Sequence, residues 1–325
     1  MSTAPASVWV ISDGRRGIEN QALGLAGAIN QITPVLIKRK IIGGDPSFVA
    51  QPPLLQYLRR RKPVKFGLGA PYPDIIIGCG RQAIAPMKTI KKASPNTFLT
   101  YIQDPRGHYS LFDLIIAPEH DQLKRANAIS MIGAPTQITP QSLKQAAKDF
   151  AKTLKGFPNP SLYLIGGNSK RFTMSGENIS EHIKSAQYSL SQDRSLLVSL
   201  SRRTPEAARQ AWKNLAAQNK EKVWLYDPEL SRDELNPYYA FLGAAQTIHV
   251  TQDSTNMLTG ACYTGQTVLA LPVDGAPQKF ETLYRQLEHH GLVFKPDRHT
   301  YASPFTALAE TERVAKILWN KYRKI

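Results

Sequence analysis

The stretch TIHVTQDSTNMLTGACYTGQTVLALP, residues 247–272, places a cluster of helix-capping residues between two apolar runs. Thr247–Val250 is mostly β-branched or apolar, Asp253–Asn256 contains residue types that cap helix N-termini, and Val268–Leu271 is followed by Pro272. The pattern predicts a strand, a helix and a second, parallel strand. A helix that begins at this point directs unpaired N–H groups towards the place where doubly wound domains bind phosphate-bearing ligands. An ordinary capped helix without a ligand fits the pattern equally well.

The same alternation of strands and helices extends through the rest of the sequence. It predicts an α/β fold of two Rossmann-like domains with parallel sheets, whose strand-end loops face a shared cleft. The Pro- and Gly-rich segment GFPNPS, residues 156–161, interrupts the alternation and is interpreted as the interdomain linker. The expected domains are residues 1–156 and 157–303, followed by a C-terminal helical segment, 304–325, which can cross back onto the first domain. The predicted helices include Gln51–Arg60, Gln141–Lys155 and Pro304–Lys321.

Composition limits the cellular setting of the chain. Its 325 residues contain no run of ~20 apolar residues that would span a membrane, and the N-terminus lacks the basic and apolar regions of a signal peptide. The two cysteines, Cys79 and Cys262, are far apart in apolar surroundings. We therefore expect a cytoplasmic protein without a disulfide framework or a zinc site.

Charge is the most unusual bulk property, with 41 Lys and Arg against 25 Asp and Glu, a net charge of +16. Such a balance predicts a polyanionic partner. The densest basic cluster follows apolar residues, which is typical of a membrane interface, although a solvated basic loop explains it as well. No helix-turn-helix, zinc-finger or RNA-recognition signature is evident, so no nucleic acid is expected as a partner. The candidate membrane or acceptor face comprises Leu54, Leu55, Tyr57, Arg59, Arg60 and Arg61.

In the first half of the chain, polar residues follow the apolar runs. Two glycines in the turn after Val8–Ser12 either let the backbone approach a ligand closely or supply a positive φ. Their spacing matches neither the dinucleotide motif nor a P-loop. Because the carboxyl ends of parallel strands meet at one edge, the acidic and imidazole side chains there are candidate general bases, with helix capping as the alternative role. These candidates are Asp13, Glu19, Asp104 and His108.

In the second half, the motif SRRTP at 201–205 follows an apolar run and opens a helix. Two adjacent arginines at a helix start are suited to bidentate phosphate binding. The alternative is a pair of surface arginines that bind no ligand. No Asp-x-Asp pair is evident, so we expect no metal and no cofactor. Basic groups and helix dipoles could then hold a leaving diphosphate. The candidate nucleotide- and phosphate-binding residues are Gly14, Gly17, Gly167, Asn168, Ser201, Arg202, Arg203, Asp253, Ser254, Thr255 and Asn256.

Seven segments spread over nearly the whole chain resemble one family. They are DGRRGIENQALGLAGAI (13–29), GCGRQA (78–83), IQDPR (102–106), GGNSK (166–170), SRRTP (201–205), NPYYAFLGAAQTIHVTQDSTNM (236–257) and KFETLYRQLEHHGL (279–292). They resemble the mitochondrial fission "elongated mitochondria" family. The resemblance implies a GT-B glycosyltransferase-like fold, related to lipid-A disaccharide synthase and to the peptidoglycan N-acetylglucosaminyl transferase. It also implies that plant members act at the mitochondrial outer surface in recruiting a dynamin-related protein.

One position departs from the sequences that this chain resembles. They usually read Asp-Ser-x-x-Met-x-x-Glu-Ala, the Glu lying where GT-B enzymes commonly bind the donor ribose. The corresponding position is Gly260, which has no carboxylate. The departure puts the usual nucleotide-sugar mode in doubt or shifts the role to Asp253 or Asp274.

Two functions from different classes follow. The first is a metal-independent, inverting glycosyltransferase that uses a nucleotide-diphosphate sugar. Its acceptor would be a membrane lipid, a lipid-linked molecule or a surface glycan. The protein would be peripheral at the inner membrane. The second is a non-catalytic membrane-surface adaptor on the same fold, which the missing carboxylate at Gly260 favours.

Overall fold

The computed structural model describes residues 4–42, 68–231, 235–275, 278–294 and 306–324. The chain forms two compact units, the first from Met1–Gln137 with Ala309–Ile325 and the second from Ile138–Leu308. The candidate membrane face and the predicted helix Gln51–Arg60 lie outside the described residues. No helix within the described ranges is long and apolar enough to cross a membrane.

The first unit is built on a parallel sheet of six described strands, in the order β2-β1-β3-β4-β5-β6. The central strands are buried along their whole length, which explains their continuous apolar runs. Helices cover the sheet, and Leu25 and Ile29 of one helix share a core with Val314 and Leu318 of the C-terminal helix. The strands are β1 (Ala6–Ser12), β2 (Val35–Ile41), β3 (Ile75–Cys79), β4 (Phe98–Ile102), β5 (Leu114–Pro118) and β6 (Ala128–Met131). The helices are α1 (Arg16–Ile32), α2 (Arg81–Ala93) and, at the C-terminus, α10 (Glu310–Tyr322).

The second unit has a parallel sheet of five described strands, in the order β11-β10-β7-β8-β9. Trp212 and Tyr163 fill the core on one face, with ring centroids 5.3 Å apart. The strands are β7 (Ser161–Ile165), β8 (Leu196–Leu200), β9 (Val223–Tyr226), β10 (Thr247–Thr251) and β11 (Thr267–Leu271). The helices are α3 (Pro140–Asp149), α4 (Ala151–Leu154), α5 (Gly176–Ser191), α6 (Glu206–Gln218), α7 (Tyr238–Ala244), α8 (Thr255–Cys262) and α9 (Gln278–His289).

Each sheet changes the direction of its strand order once. In the first unit the change falls between β1 and β3, and in the second it falls between β7 and β10. At such a switch point the loops leave neighbouring strands in opposite directions and open a crevice at the carboxyl edge of the sheet. The predicted α/β architecture with two parallel sheets is thus confirmed. In doubly wound folds, such switch points are the usual places for ligands.

Three boundaries differ from the prediction. The division between the units falls after Gln137 and not at 156, because α3 packs against α7 of the second unit, with the Leu143 carbonyl oxygen 3.0 Å from where a Cβ on Gly243 would lie. The predicted helix 141–155 breaks at Phe150, whose ψ of 12° ends α3. The last helix begins at Glu310, six residues later than predicted.

Candidate functional site

Asp253 lies at the centre of the switch point of the second unit, just beyond β10. Its fully buried carboxylate accepts hydrogen bonds from the Gly167 N–H at 3.1 Å and from the Thr251 hydroxyl at 2.7 Å. Nη2 of Arg203 lies 2.6 Å from the carboxylate and forms an ion pair with it. Asp253 therefore joins the loops that follow β7, β8 and β10.

Neighbouring protein atoms leave no room for a side chain at Gly166 or Gly167. A Cβ on Gly166 would lie 2.1 Å from Oδ1 of Asp253, and one on Gly167 would lie 1.9 Å from the backbone oxygen of Arg203. The Gly166 N–H donates to the Thr251 hydroxyl at 2.8 Å, so both glycine amides have acceptors within the protein. The Gly167 N–H is thus already occupied by Asp253, and the assignment of Gly167 to the phosphate-binding residues stays a prediction.

Asn168 is also held by its own chain. Its N–H donates to the carbonyl of Arg203 at 3.1 Å, and its side-chain oxygen accepts from the Met174 N–H at 2.8 Å. The residue is exposed, so its side-chain NH₂ remains the group that could reach a ligand. The loop after β7 is therefore a rigid support that contributes one amide group.

The two arginines of SRRTP project from a closed turn. The Ser201 N–H donates to Oγ1 of Thr204 at 2.9 Å, and the Ser201 hydroxyl donates to the Gly166 carbonyl at 3.0 Å. Nη1 of Arg203 donates to the Gly167 carbonyl at 3.5 Å, and the side chain as a whole is 42% exposed despite its pairing with Asp253. Arg202 is exposed, and within the described ranges no hydrogen bond or ion pair engages its side chain. The turn presents two cationic groups at the edge of the sheet.

Helix α8 begins at the same edge. Ser254 is its N-cap, and the Ser254 hydroxyl accepts from the Met257 N–H at 3.4 Å. Thr255 is the first helical residue, and Asn256 follows in the first turn. The Tyr284 hydroxyl donates to the Gln252 carbonyl and fixes the loop that enters the helix. The positive end of the α8 dipole therefore lies next to the Arg203–Asp253 pair, at the edge of the sheet where the SRRTP turn also begins.

Gly260 is buried in α8, where a Cβ would lie only 2.8 Å from Cδ1 of Ile138. A glutamate at this position would require Ile138 to move. Asp253 cannot replace such a glutamate as a ribose acceptor, since its carboxylate is sealed. Asp274 is exposed, and among the described residues its carboxylate accepts one hydrogen bond, from Nδ2 of Asn178 at 3.2 Å, so the carboxylate has spare acceptor capacity.

In the first unit, two of the predicted bases are already paired. The Asp13 side chain is 4% exposed, and Nη2 of Arg15 lies 2.7 Å from its carboxylate. Glu19 is buried in a bidentate pair with Arg39, whose Nη2 lies 2.7 Å from Oε2. The oxygens of both carboxylates are thereby engaged within the protein, which leaves them poorly placed to meet an acceptor hydroxyl.

Asp104 has a different environment. The Arg106 N–H at 2.7 Å and the Tyr109 hydroxyl at 3.2 Å both donate to its Oδ1. No partner for Oδ2 is found among the described residues, and the side chain is half-buried at the end of β4. One oxygen is therefore oriented and the other is open, which suits a general base. His108, the fourth candidate, is exposed on the same loop in the left-handed region, with φ of 55°.

The other sequence-predicted residues of the first unit shape the backbone. Gly14 has φ of 78°, and Gly17 lies in the first turn of α1. Sequence reasoning missed a partly buried amide pair, in which Nε2 of Gln103 donates to Oε1 of Gln21 at 3.1 Å. Gln103 has φ of 80°, a conformation that is uncommon for a residue with a side chain and concentrates at functional sites. The signal was the polar residue directly after an apolar strand in IQDPR.

The Cys79 thiol lies beside this amide pair and donates to Gln21 at 3.6 Å. Burial, with a further contribution from Asp13, raises the pKa of the thiol to about 12. Cys79 is therefore a neutral thiol that packs against the loop and is not a nucleophile.

Sequence comparison identifies relatives over most of the chain. The mitochondrial fission ELM1 family model matches residues 16–322. A protein of Rickettsia prowazekii (strain Madrid E) is 26% identical over 342 residues, covering 94% of this chain and 93% of its own. The mitochondrial fission protein ELM1 of Arabidopsis thaliana is 27% identical over 247 residues, which cover 68% of this chain and 56% of the plant protein.

Solved structures support the fold. A UDP-GlcNAc 2-epimerase from Neisseria meningitidis, bound to UDP-GlcNAc, has a TM-score of 0.59 at 13% identity, with 98% of this chain and all of that chain covered. The ADP-heptose LPS heptosyltransferase II of E. coli has a TM-score of 0.51 at 11% identity, with 98% and 99% covered. These similarities confirm the GT-B glycosyltransferase-like fold. The family match over residues 16–322 shows that the chain belongs to the mitochondrial fission ELM1 family.

Proposed function

We propose that the second unit binds a nucleotide-diphosphate sugar. The observation that carries this proposal is the convergence of Arg202, Arg203 and the N-terminus of α8 at the switch point between β7 and β10. Two guanidinium groups and a helix dipole match the charge of a diphosphate, and the pairing of Arg203 with Asp253 orients one of them before a ligand arrives. Support also comes from the similar epimerase structure, which contains UDP-GlcNAc.

The proposed reaction is a metal-independent, inverting glycosyl transfer. Oδ2 of Asp104 takes the proton from an acceptor hydroxyl, and the hydroxyl oxygen forms the new bond to the anomeric carbon. The bond from that carbon to the diphosphate oxygen breaks, and the electron pair leaves with the nucleoside diphosphate. Arg202, Arg203 and the α8 dipole stabilise the negative charge that develops on this leaving group.

The acceptor in this proposal is a membrane lipid, a lipid-linked molecule or a surface glycan. The net charge of +16 favours an anionic surface, and the apolar and basic residues Leu54 to Arg61 suit an interface with headgroups. The protein would then work in the cytoplasm as a peripheral protein at the inner membrane.

A second candidate function is a non-catalytic membrane-surface adaptor. Two observations favour it: the relationship to a plant mitochondrial fission protein, and the packing of Gly260, which leaves no carboxylate at that position of α8. An adaptor would bind anionic vesicles and a protein partner equally well after Arg202→Ala or Arg203→Ala.

A thermal-shift panel with UDP, GDP, ADP and CMP separates the two functions. A ligand at ~100 times its dissociation constant adds about 2.7 kcal/mol to the free energy of unfolding. The glycosyltransferase proposal expects one of these nucleotides to raise the midpoint temperature of unfolding. Absence of any shift at millimolar concentrations, together with vesicle binding that survives Arg203→Ala, would favour the adaptor.

A further inference from the structure

The turn that carries Arg202 and Arg203 contacts a buried ion pair in the second unit. Arg209 of α6 pairs with Asp227, the residue after β9, and both side chains are only 4% exposed. Two more carboxylates lie at the rim of the pair: Glu206, 3.7 Å from Nε of Arg209, and Glu229, 3.5 Å from its Nη2. A guanidinium in this position is fixed by anions on several sides.

The same guanidinium also reaches the turn. Nη2 of Arg209 lies 3.4 Å from the carbonyl oxygens of both Ser201 and Thr204, the first and last residues of the turn. Arg209 therefore connects the strand end at Asp227 to both ends of the segment that presents the two cationic groups. Asp253 holds the same segment from the side, through the Arg203 side chain.

A buried ion pair is a weak source of stability, because the loss of hydration offsets much of the attraction and an apolar pair of similar volume often does as well. Burial, the largest single influence, would raise the pKa of Asp227, but the hydrogen bonds from Arg209 and the Glu229 N–H, together with the charges of Arg209 and Lys213, hold the pKa below its usual value. Asp227 is therefore ionised, and it keeps the guanidinium in one orientation. That orientation is the one that satisfies the two carbonyls of the turn.

We propose that Arg209 and Asp227 are positioning residues for the anion site: they fix the Ser201–Thr204 turn so that Arg202 and Arg203 meet a diphosphate without reordering. The inference rests on the proposed function for the identity of the anion. The positioning itself is a property of the turn, so it can be measured without a nucleotide.

The test combines hydrogen–deuterium exchange of the turn with calorimetric titration of UDP. The variants are Arg209→Met, which replaces the guanidinium by an apolar chain, and Asp227→Asn, which keeps the shape and removes the charge. Asp193→Asn is the matched control, since Asp193 pairs with Lys222 in the same unit but is 92% exposed. If Arg209→Met does not fold, Arg209→Lys replaces it.

The amides of Ser201, Arg203 and Thr204 are hydrogen-bonded in the turn. We expect them to exchange at least about tenfold faster in the Arg209 and Asp227 variants than in the wild type. The Kd for UDP is expected to rise at least about tenfold, with no change in the Asp193→Asn control. Unchanged exchange in the turn overturns the inference whatever the affinity. Faster exchange in a protein whose wild type binds none of the four nucleotides contradicts the proposed function and leaves the positioning supported.

Discussion

The ion pair between Arg203 and Asp253 joins an exposed cation to a sealed anion. Nη2 of Arg203 lies 2.6 Å from Oδ2 of Asp253, and the exposed fractions of the two side chains are 42% and 0%. The carboxylate also accepts from Gly167 and Thr251, so it is a structural centre. The Arg203 side chain remains partly open to solvent. This asymmetry makes Asp253 a support for the anion site and Arg203 a part of it.

Replacing Asp253 with alanine is expected to lower the free energy of unfolding by roughly 2–5 kcal/mol. The buried Gly167 N–H and the Thr251 hydroxyl would both lose an acceptor, at about 1–3 kcal/mol each. Urea unfolding monitored by circular dichroism measures the change. Asp193→Ala, which removes an exposed ion pair, should cost much less, because solvent screens that pair. Equal costs in the two variants would contradict the central structural role of Asp253.

Gly167→Ala is expected to destabilise the protein by at least about 2 kcal/mol, because the new Cβ would lie 1.9 Å from the backbone oxygen of Arg203. Gly176→Ala, at the start of α5, is the matched control, since a Cβ there meets nothing within 4 Å. That control should gain about 0.4–1 kcal/mol by reducing the freedom of the unfolded chain. Tolerance of alanine at 167 would mean that the turn of Arg203 does not approach this glycine.

Acid should destabilise the second unit through His249. The imidazole is buried and stacks on Tyr163 at 4.2 Å, and burial, with the nearby Arg194, lowers its pKa to about 3. The unfolded chain, with a His pKa of about 6.5, therefore binds a proton that the folded chain does not. The contribution of His249 to the free energy of unfolding is fully present above pH 6.5. It is lost as the pH falls towards 3, by up to about 1.4 kcal/mol per pH unit.

Urea unfolding of the wild type and of His249→Phe between pH 7 and pH 4.5 measures this contribution. The variant should lose stability less steeply than the wild type, by up to about 1.4 kcal/mol per pH unit. Burial lowers the pKa of His182 as well, so part of the slope should persist in the variant. Identical slopes in the two proteins would show that His249 is not buried as a neutral ring.

Asp104→Asn should abolish most of the proposed transfer while leaving nucleotide binding intact. A general base typically contributes about 10²–10⁴-fold to a rate, and Asn cannot take the acceptor proton. The measurement is nucleotide release from the sugar donor, with UDP affinity determined in parallel. Glu119→Gln, another carboxylate variant of the first unit, serves as the control. A rate for Asp104→Asn equal to that of the control would remove Asp104 from the mechanism.

The strand and helix pattern could be predicted because parallel strands that are buried on both faces produce continuous apolar runs. Ile75–Cys79 and Thr267–Leu271 are examples, each buried at every position. The domain boundary could not be predicted in this way. Pro and Gly at 156–161 mark a loop, whereas the division depends on the packing of α3 against α7, which is a tertiary contact.

The candidate site also has some features that the sequence predicts and others that it does not. Ser254 as the helix cap and the exposure of Arg202 follow from local residue types and were predictable. The occupation of the Gly167 amide by Asp253 joins residues 86 positions apart, and no local pattern encodes it. The pairing of Glu19 with Arg39 is a contact of the same kind, and it changes which acidic residue can serve as a base.

Calorimetric titration of UDP into the wild type, Arg202→Ala and Lys220→Ala tests the nucleotide site most directly. Arg202 is exposed at the proposed diphosphate site, whereas Lys220 is an exposed cation at the end of α6 in the same unit. We predict saturable binding to the wild type and to Lys220→Ala. Arg202→Ala should bind at least about tenfold more weakly, since a charge-assisted hydrogen bond contributes about 1.5–3 kcal/mol. Equal affinities of the two variants, or no heat of binding with UDP, GDP, ADP or CMP at millimolar concentration, would contradict the assignment.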